Sequence, residues 1–381
     1  MATSSTTNDV IVVGNGAIGA AVAWRCAQRG LSVIVVDPDP ARGAWHTAAG
    51  MLAPVTELHY AESPLLRLNL DSLARYPAFA AELTELTGLP TGLRETGTLS
   101  IAWDAADLAT LRDLHAFGAS LGVDARLVTG RELRELEPTL AAGLPGGLLA
   151  QNDHQVDPRL LHRALGAAGT RAGVRHVLGT ARIELRDDRA TGVTLGDGTR
   201  LSTRTVVLAA GAWSGQAGLP ADLAPAVRPV KGQTLRLRLP GAPRLRHVVR
   251  GSVKGAPIYL VPRADGQLIV GASSEEVGYD LTPRAGAVYE LLRDAQSVFP
   301  ELGEAVLEEV STGLRPGSPD NAPLLGPAGV DGLIFATGHY RNGILLTPVT
   351  ADGIADLVAG GALPSHLEPF TPARFRQEVS A

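Results

Sequence analysis

Asp9–Asp37 reads DVIVVGNGAIGAAVAWRCAQRGLSVIVVD. Val10–Val13 is a short apolar run rich in β-branched residues, which predicts a buried parallel strand rather than a helix. Gly14, Gly16 and Gly19 follow with the spacing G-x-G-x-x-G. In that pattern the first glycine makes a tight turn, the second admits a pyrophosphate close to the backbone, and the third lets a helix pack on the strand. The helix is predicted from Ile18 to Arg29, its N-terminal N–H groups aimed at the phosphates and Gly30 ending it. A second strand, Val33–Val36, closes on Asp37, about 20 residues past the glycines, where a carboxylate can accept hydrogen bonds from a ribose diol. Strand, turn, helix, strand and acid in this order predict an adenine-dinucleotide site. NAD and FAD share such a half-site, so the fingerprint alone leaves the choice open.

The remaining chain is long enough for two domains. The full chain has 381 residues, of which 45% are hydrophobic and 19% charged, with a formal net charge of −5. An acidic globule of this composition has no general attraction for nucleic acid or anionic membrane. No apolar run approaches the length of a membrane span, so no stable membrane insertion is expected. Met1–Asn8 lacks the basic and apolar regions of a secretory signal and reads as a frayed tail. Cys26 is the single cysteine, so an intrachain disulfide is excluded, and its mid-helix position predicts a buried, inert thiol. The histidines show no metal-binding spacing. A cytoplasmic protein is expected.

Outward from the fingerprint, helices are predicted over Leu65–Leu86, Asp104–Gly122 and Thr129–Glu137, with strands within Leu89–Trp103. A helix follows over Asp157–Gly169 and a strand over Val174–Leu178. Thr191–Leu201 holds an Asp-Gly turn between alternating segments, a hairpin signal. Thr205–Ala212 returns to a buried core-type strand, so the nucleotide domain is discontinuous. Leu235–Leu239 (LRLRL) alternates, predicting leucines inward and Arg236 and Arg238 outward on a half-solvated strand. Arg244, Arg246, Arg250 and Lys254 read as a continuation of that solvated basic face. Ile258–Pro262 and Gln267–Ala272 form a hairpin, Ala285–Phe299 a helix, and Glu308–Arg315 and Leu333–Thr337 strands. Thr347 is predicted to cap a last helix that has Pro348 in its first turn.

Five stretches now carry a family resemblance: VGNGAIG (Val13–Gly19), AAGMLAP (Ala48–Pro54), AAGAWSG (Ala209–Gly215), GLRPGSPDNAPLLG (Gly313–Gly326) and GHYRNGILLTP (Gly338–Pro348). In this order the chain resembles the FAD-dependent D-amino-acid oxidase family, within it the glycine oxidase branch tied to thiamine thiazole synthesis. The resemblance implies an α/β fold with a discontinuous Rossmann-like FAD domain over 8–85, 146–220 and 305–365. It also implies an antiparallel-sheet α+β substrate domain over 86–145 and 221–304. FAD would be bound non-covalently by Gly14, Gly16, Ala17, Ile18, Gly19, Asp37, Val177, Ala210, Gly211 and Trp213. Ala48, Ala49, Gly50 and Met51 would lie along the isoalloxazine, with His339, Arg341, Asn342, Gly343 and Ile344 at its pyrimidine edge.

For the substrate, a small amine or amino acid, the resemblance implies Arg315 as carboxylate clamp, Tyr259 as a second carboxylate ligand, and Arg341 and Met51 beside them. Pro257 and Ser274 depart from residues found in some glycine oxidases, which leaves the range of amines open among glycine, sarcosine and D-alanine. The implied reaction is oxidative deamination to glyoxylate, ammonia and hydrogen peroxide, with dioxygen as acceptor. Two rivals stand beside it: a D-amino-acid or sarcosine dehydrogenase that passes electrons to a quinone or carrier, and a non-catalytic dinucleotide-binding module. Homo-oligomerisation stays open.

Overall fold

The computed structural model describes residues 8–241 and 245–375. The readings of the first seven residues and of Arg244 therefore lie outside the described residues. Two eight-stranded sheets organise the rest. In the first, Asn8–Val13 lies between Val33–Asp37 and Arg200–Leu208, parallel to both, with Val13 level with Val36 and Leu208. Arg175–Leu178 extends one side in parallel, and Leu333–Thr337 and Leu324–Pro327 extend the other. Alternation along the first strand divides the core. Val10 and Val12 face a layer of helices, while Ile11 and Val13 face the hairpin of Ala181–Arg186 and Arg189–Leu195.

The helix layer comprises Ala17–Gln28, Ser63–Thr87, Pro158–Arg171 and Thr347–Val358. Ser63–Thr87 also reaches the last loop of the chain. Its Tyr76 and Ser72 hydroxyls donate to the carbonyls of Ile344 (2.5 Å) and Leu345 (2.6 Å). Thr347 is the first helical residue rather than the cap, since Leu346 occupies the cap position.

The second sheet runs Val306–Gly317, Arg228–Arg238, Gln267–Gly271, Ala256–Pro262, Val248–Val253, Thr98–Ala102, Gly146–Ala150, Arg126–Thr129. It is antiparallel except where Val248–Val253 meets Thr98–Ala102. Gly146–Ala150 and Val306–Gly317, which the expected boundaries assign to the nucleotide domain, hydrogen-bond into this sheet. Within Leu89–Trp103 only Thr98–Ala102 is a strand beyond single bridges. Gly92 and Gly97, at φ +73° and +71°, break the preceding segment.

The leucines of LRLRL pack inward beneath the helix Ala285–Val298, as the alternation predicts. Arg236, however, is 2% exposed. Its face of the sheet is covered by the nucleotide domain, and its guanidinium donates to Gln267 Oε1 (3.0 Å) and to the His46 carbonyl (3.2 Å). A buried arginine of this kind is tolerated because it is paired and hydrogen-bonded. Arg250 lies on the same covered face, and it too is turned away from solvent: its ion pair is with Glu57 (2.9 Å). The outward reading therefore fails for Arg236 and Arg250 and holds for Arg238, paired at the surface with Glu308, and for the exposed Arg246 and Lys254.

Cys26 is fully buried, and burial pushes its thiol up to about 12. A thiol reagent at pH 8 should label less than about a tenth of the native protein and one thiol per chain after denaturation. Rapid labelling of the native protein would contradict this packing of the first helix on the sheet.

Candidate active site

The first turn is forced by steric closeness. Gly14 has φ +108°, and a Cβ there would lie 2.4 Å from the Ala209 carbonyl oxygen. A Cβ on Gly19 would lie 1.9 Å from the Gly14 oxygen. Gly16 is different: its nearest neighbour in the direction of a Cβ is the Trp45 ring at 3.7 Å, so its face is open towards the cavity. Asp37 is fixed at the end of its strand by the backbone N–H groups of Asn15 (2.7 Å) and Asp39 (2.8 Å). Beneath the turn, the Trp45 ring stacks on His162 at 3.8 Å, and His162 Nε2 lies 2.7 Å from the Asn15 carbonyl oxygen. The Trp45–His162 stack was not legible in the sequence, because the two residues sit far apart in the chain and follow no spacing rule.

From this turn a cavity of about 790 Å³ runs between the two sheets, towards the upper end of the usual range for ligand pockets. Gly14, Gly16, Ala17, Ile18 and Asp37 line one end. Ala48, Ala49, Gly50 and Met51 form a side wall, with Ala210, Gly211 and Trp213 opposite the sheet, and His339, Arg341, Gly343 and Ile344 on the loop before the last helix. Gly50, at φ +75°, would place a Cβ 2.1 Å from the Val156 oxygen, so the wall turns only with glycine there. Arg263 fixes that wall from the second sheet. It is 4% exposed and donates to the carbonyls of Ala49 (2.5 Å) and Val156 (3.1 Å) and to Gln155 Oε1 (2.8 Å). Burial holds its guanidinium down at about 10, so it remains a cation at neutral pH.

Two expected cofactor residues sit elsewhere. Val177 pairs level with Val36 on the outer strand and packs against the hairpin-side core, outside the cavity wall. Asn342 is buried behind the wall, and its Nδ2 has no hydrogen-bond partner among the described residues. His339 is 2% exposed, and its ring nitrogen Nε2 lies 3.1 Å from Thr350 Oγ1. Burial pushes it down to about 3, so it is neutral. Tyr279, missed in the sequence, lies over Trp213 and donates to the Ala212 carbonyl at 3.2 Å. The glycine cradle, the fixed Asp37 and the long, two-ended cavity fit an FAD lying along the wall.

At the far end are the groups that can hold a substrate. Arg315 Nη1 donates to the carbonyls of Ser273 (3.2 Å) and Lys231 (3.4 Å), and among the described residues it has no carboxylate partner. Its guanidinium lies over Gly232, where a Cβ would be 2.5 Å from Nη1. The Tyr259 ring lies over Gly271 in the same way, with a Cβ there 2.3 Å from the hydroxyl. Neighbouring strands thus use glycines as floors for the two polar side chains. Burial raises the Tyr259 phenol, with Arg315 pulling the other way, so it stays a neutral donor.

Arg341, by contrast, is engaged by Glu62 and lies 3.5 Å from Glu57. Met51 and Tyr259 both pack against the small cluster of Ala49, Val248, Val261 and Ile269, and Pro257 and Ser274 complete this end. Arg250, Arg315, Arg341 and Glu57 line this end, and Glu62 pairs with Arg341 from outside the lining; together the five side chains leave one net positive charge.

The family described as FAD dependent oxidoreductase matches residues 9–357. The chain is 37% identical over 374 residues to the Bifunctional protein ThiO/ThiG of Synechocystis sp. (97% of this chain, 54% of that protein). It is 36% identical over 369 residues to a glycine oxidase of Geobacillus kaustophilus (96% and 97%). It thus spans about half the length of the bifunctional relatives and nearly all of the glycine oxidase. The crystal structure of glycine oxidase from Geobacillus kaustophilus superposes with a TM-score of 0.90 at 34% identity, covering 97% of this chain and 99% of that one. Fingerprint, cavity and likeness agree: the chain belongs to the FAD-dependent oxidoreductase family, and FAD is its cofactor.

Proposed function

We propose that this protein oxidises glycine, and other amines of similar size, to the corresponding oxo acid and ammonia, with dioxygen reduced to hydrogen peroxide, as in thiamine thiazole synthesis. The observation that carries the reading is Arg315, a guanidinium on the cavity wall that no carboxylate of the described chain neutralises. A planar guanidinium can grip a carboxylate through two parallel bonds and so fix the α-carbon in one place. The Tyr259 hydroxyl, held as a neutral donor, adds a second bond to the same group. Met51, Tyr259 and Pro257 line the same end of the cavity, beside the clamp, where they bound the space left for a substrate side chain.

When bound, FAD supplies the two-electron acceptor for the substrate's Cα–H, and the chain's task is to present that bond and exclude water. The net charge of this end supports the anionic amino acid, with a carboxylate and a neutral amine, over the zwitterion. That form carries the nitrogen lone pair needed to form the imine. No side chain at this end is required as a base, since the proton has already been shed to solvent.

Cofactor attachment is proposed to be non-covalent, because Cys26 is buried on the first helix, outside the cavity wall. Acid precipitation should leave all the flavin in the supernatant, and yellow pellet protein would contradict it. In air, glycine should drive oxygen uptake with one peroxide formed per glyoxylate. Amine oxidation that proceeds only with an added quinone or dye would instead identify a dehydrogenase. Arg315→Ala should lower kcat/KM for glycine by roughly thirty- to several-thousand-fold, the effect of removing one member of a desolvated charge pair. Arg315→Lys should recover part of that loss, and flavin content should be unchanged in both. A loss below about threefold in Arg315→Ala would move the clamp to another residue.

A further inference from the structure

We propose that Glu57 is a specificity-determining residue that limits the cavity to amines with a single carboxylate, by keeping Arg250 and Arg341 occupied. The inference rests on the reading of Arg315 as the clamp for the substrate's α-carboxylate. It deepens that reading by assigning the charge class of the substrate to one side chain.

The placement of Glu57 is a built feature. It follows the cavity wall in a turn whose backbone is held from behind by Asp153, which is completely buried. The carboxylate of Asp153 accepts the N–H of Val55 (3.1 Å), the N–H of Thr56 (2.7 Å) and the Thr56 hydroxyl (2.7 Å). Glu57 then reaches across the cavity. One oxygen lies 2.9 Å from Arg250 Nη1 and the other 3.5 Å from Arg341 Nε. Arg341 has Glu62 as a second partner, but the ion pair with Glu57 is the only one Arg250 makes among the described residues. Arg250 is directly opposite Tyr259 in the strand register, so both project from the same face of the sheet. The Tyr259 hydroxyl in turn feels Arg315, Glu57 and Arg250. Arg250 is therefore a latent second carboxylate ligand next to the first, silenced by Glu57.

The consequence follows from charge. With Glu57 in place the end chamber carries one net positive charge, which one carboxylate neutralises. A second carboxylate would make the chamber negative in a region of low dielectric and would lie beside Glu57 itself, an arrangement that rejects it. Replacing Glu57 by glutamine keeps the size of the side chain and removes the negative charge that holds Arg250 in its ion pair. Arg250 then becomes available to a second carboxylate.

The test is equilibrium binding of unreactive acids to the holoenzyme, with acetate as the monocarboxylate and malonate and succinate as dicarboxylates, followed by flavin absorbance and by calorimetry. The wild type should bind acetate better than either diacid. In Glu57→Gln the ratio of diacid to acetate Kd should fall by about tenfold or more, and in Glu57→Gln with Arg250→Gln that gain should vanish. An unchanged ratio in a Glu57→Gln protein with normal flavin content and melting temperature would overturn the proposal, as would a gain that survives loss of Arg250. If Glu57→Gln does not load FAD, Glu57→Ala decides by the same ratio: a fall of about tenfold or more supports the proposal, and an unchanged ratio refutes it. Because no turnover is needed, the outcome is separable from the proposed reaction. A protein that oxidises glycine but shows no shift loses only this inference, and one that shows the shift without oxidising glycine loses only the reaction.

Discussion

The structure depends on a polar seam between the two sheets. The segment from Ala44 to Met51 belongs in sequence to the nucleotide domain, yet its carbonyls are held by arginines of the second sheet. Arg236 reaches His46, Arg263 reaches Ala49, and the Thr234 hydroxyl donates to the Thr47 carbonyl at 3.0 Å. Arg159 closes the seam from the helix side, bridging the His46 carbonyl and Glu309. Burying guanidiniums costs free energy unless their charge is paired and their donors are directed at acceptors; here Arg236 and Arg263 each direct two nitrogens at oxygens and keep Nε within ion-pair range of Glu309 and Asp157. An apolar interface of the same area would hold the sheets together but would fix no backbone oxygen in place. The seam orients the wall against which a flat ring system must lie, and so links the fold of one domain to the site of the other.

The same covered face supplies the substrate end. On a sheet exposed to water, Arg250, Tyr259 and Arg315 would be solvated and of little use for binding. Here the nucleotide domain covers them and leaves each half-buried, so their charges act at shorter range and are less screened than on an open surface. Glycines at 232 and 271 make room for the guanidinium and the phenol to lie flat against the neighbouring strands. Position and electrostatics therefore come from one arrangement: two sheets face to face, the inner face of one carrying charge.

Much of this was legible in the sequence where the constraint is local. Gly19 is required by the Gly14 carbonyl five residues earlier and Gly14 by its own turn at φ +108°, so the fingerprint could be read directly, although the Ala209 carbonyl that also crowds Gly14 could not. The leucines of LRLRL and the Asp-Gly hairpin were legible for the same reason. Arg315 could be singled out because a guanidinium and the motif around it coincide. What alternation cannot say is what covers the second face of a strand. Arg236 and Arg250 read as solvated, yet Arg236 is buried and Arg250 half-buried, because the covering layer comes from residues more than a hundred positions away. Glu57, Trp45 and Tyr279 carry no periodicity or spacing, and only the assembled cavity brings them forward. Val306–Gly317 could not be assigned to a sheet from sequence, since a strand that passes from one domain to the other looks the same in either.

The central claim is that this cavity joins an FAD site to a clamp for a small amino acid, so that the bound amine reduces the cofactor. Anaerobic mixing of the purified holoenzyme with glycine, sarcosine, D-alanine and D-proline, while flavin absorbance is followed, tests this most directly. The account predicts full bleaching with glycine, with a rate that saturates with glycine concentration, and recovery of the oxidised spectrum when air is admitted. A flavin that stays oxidised with all four amines would contradict it.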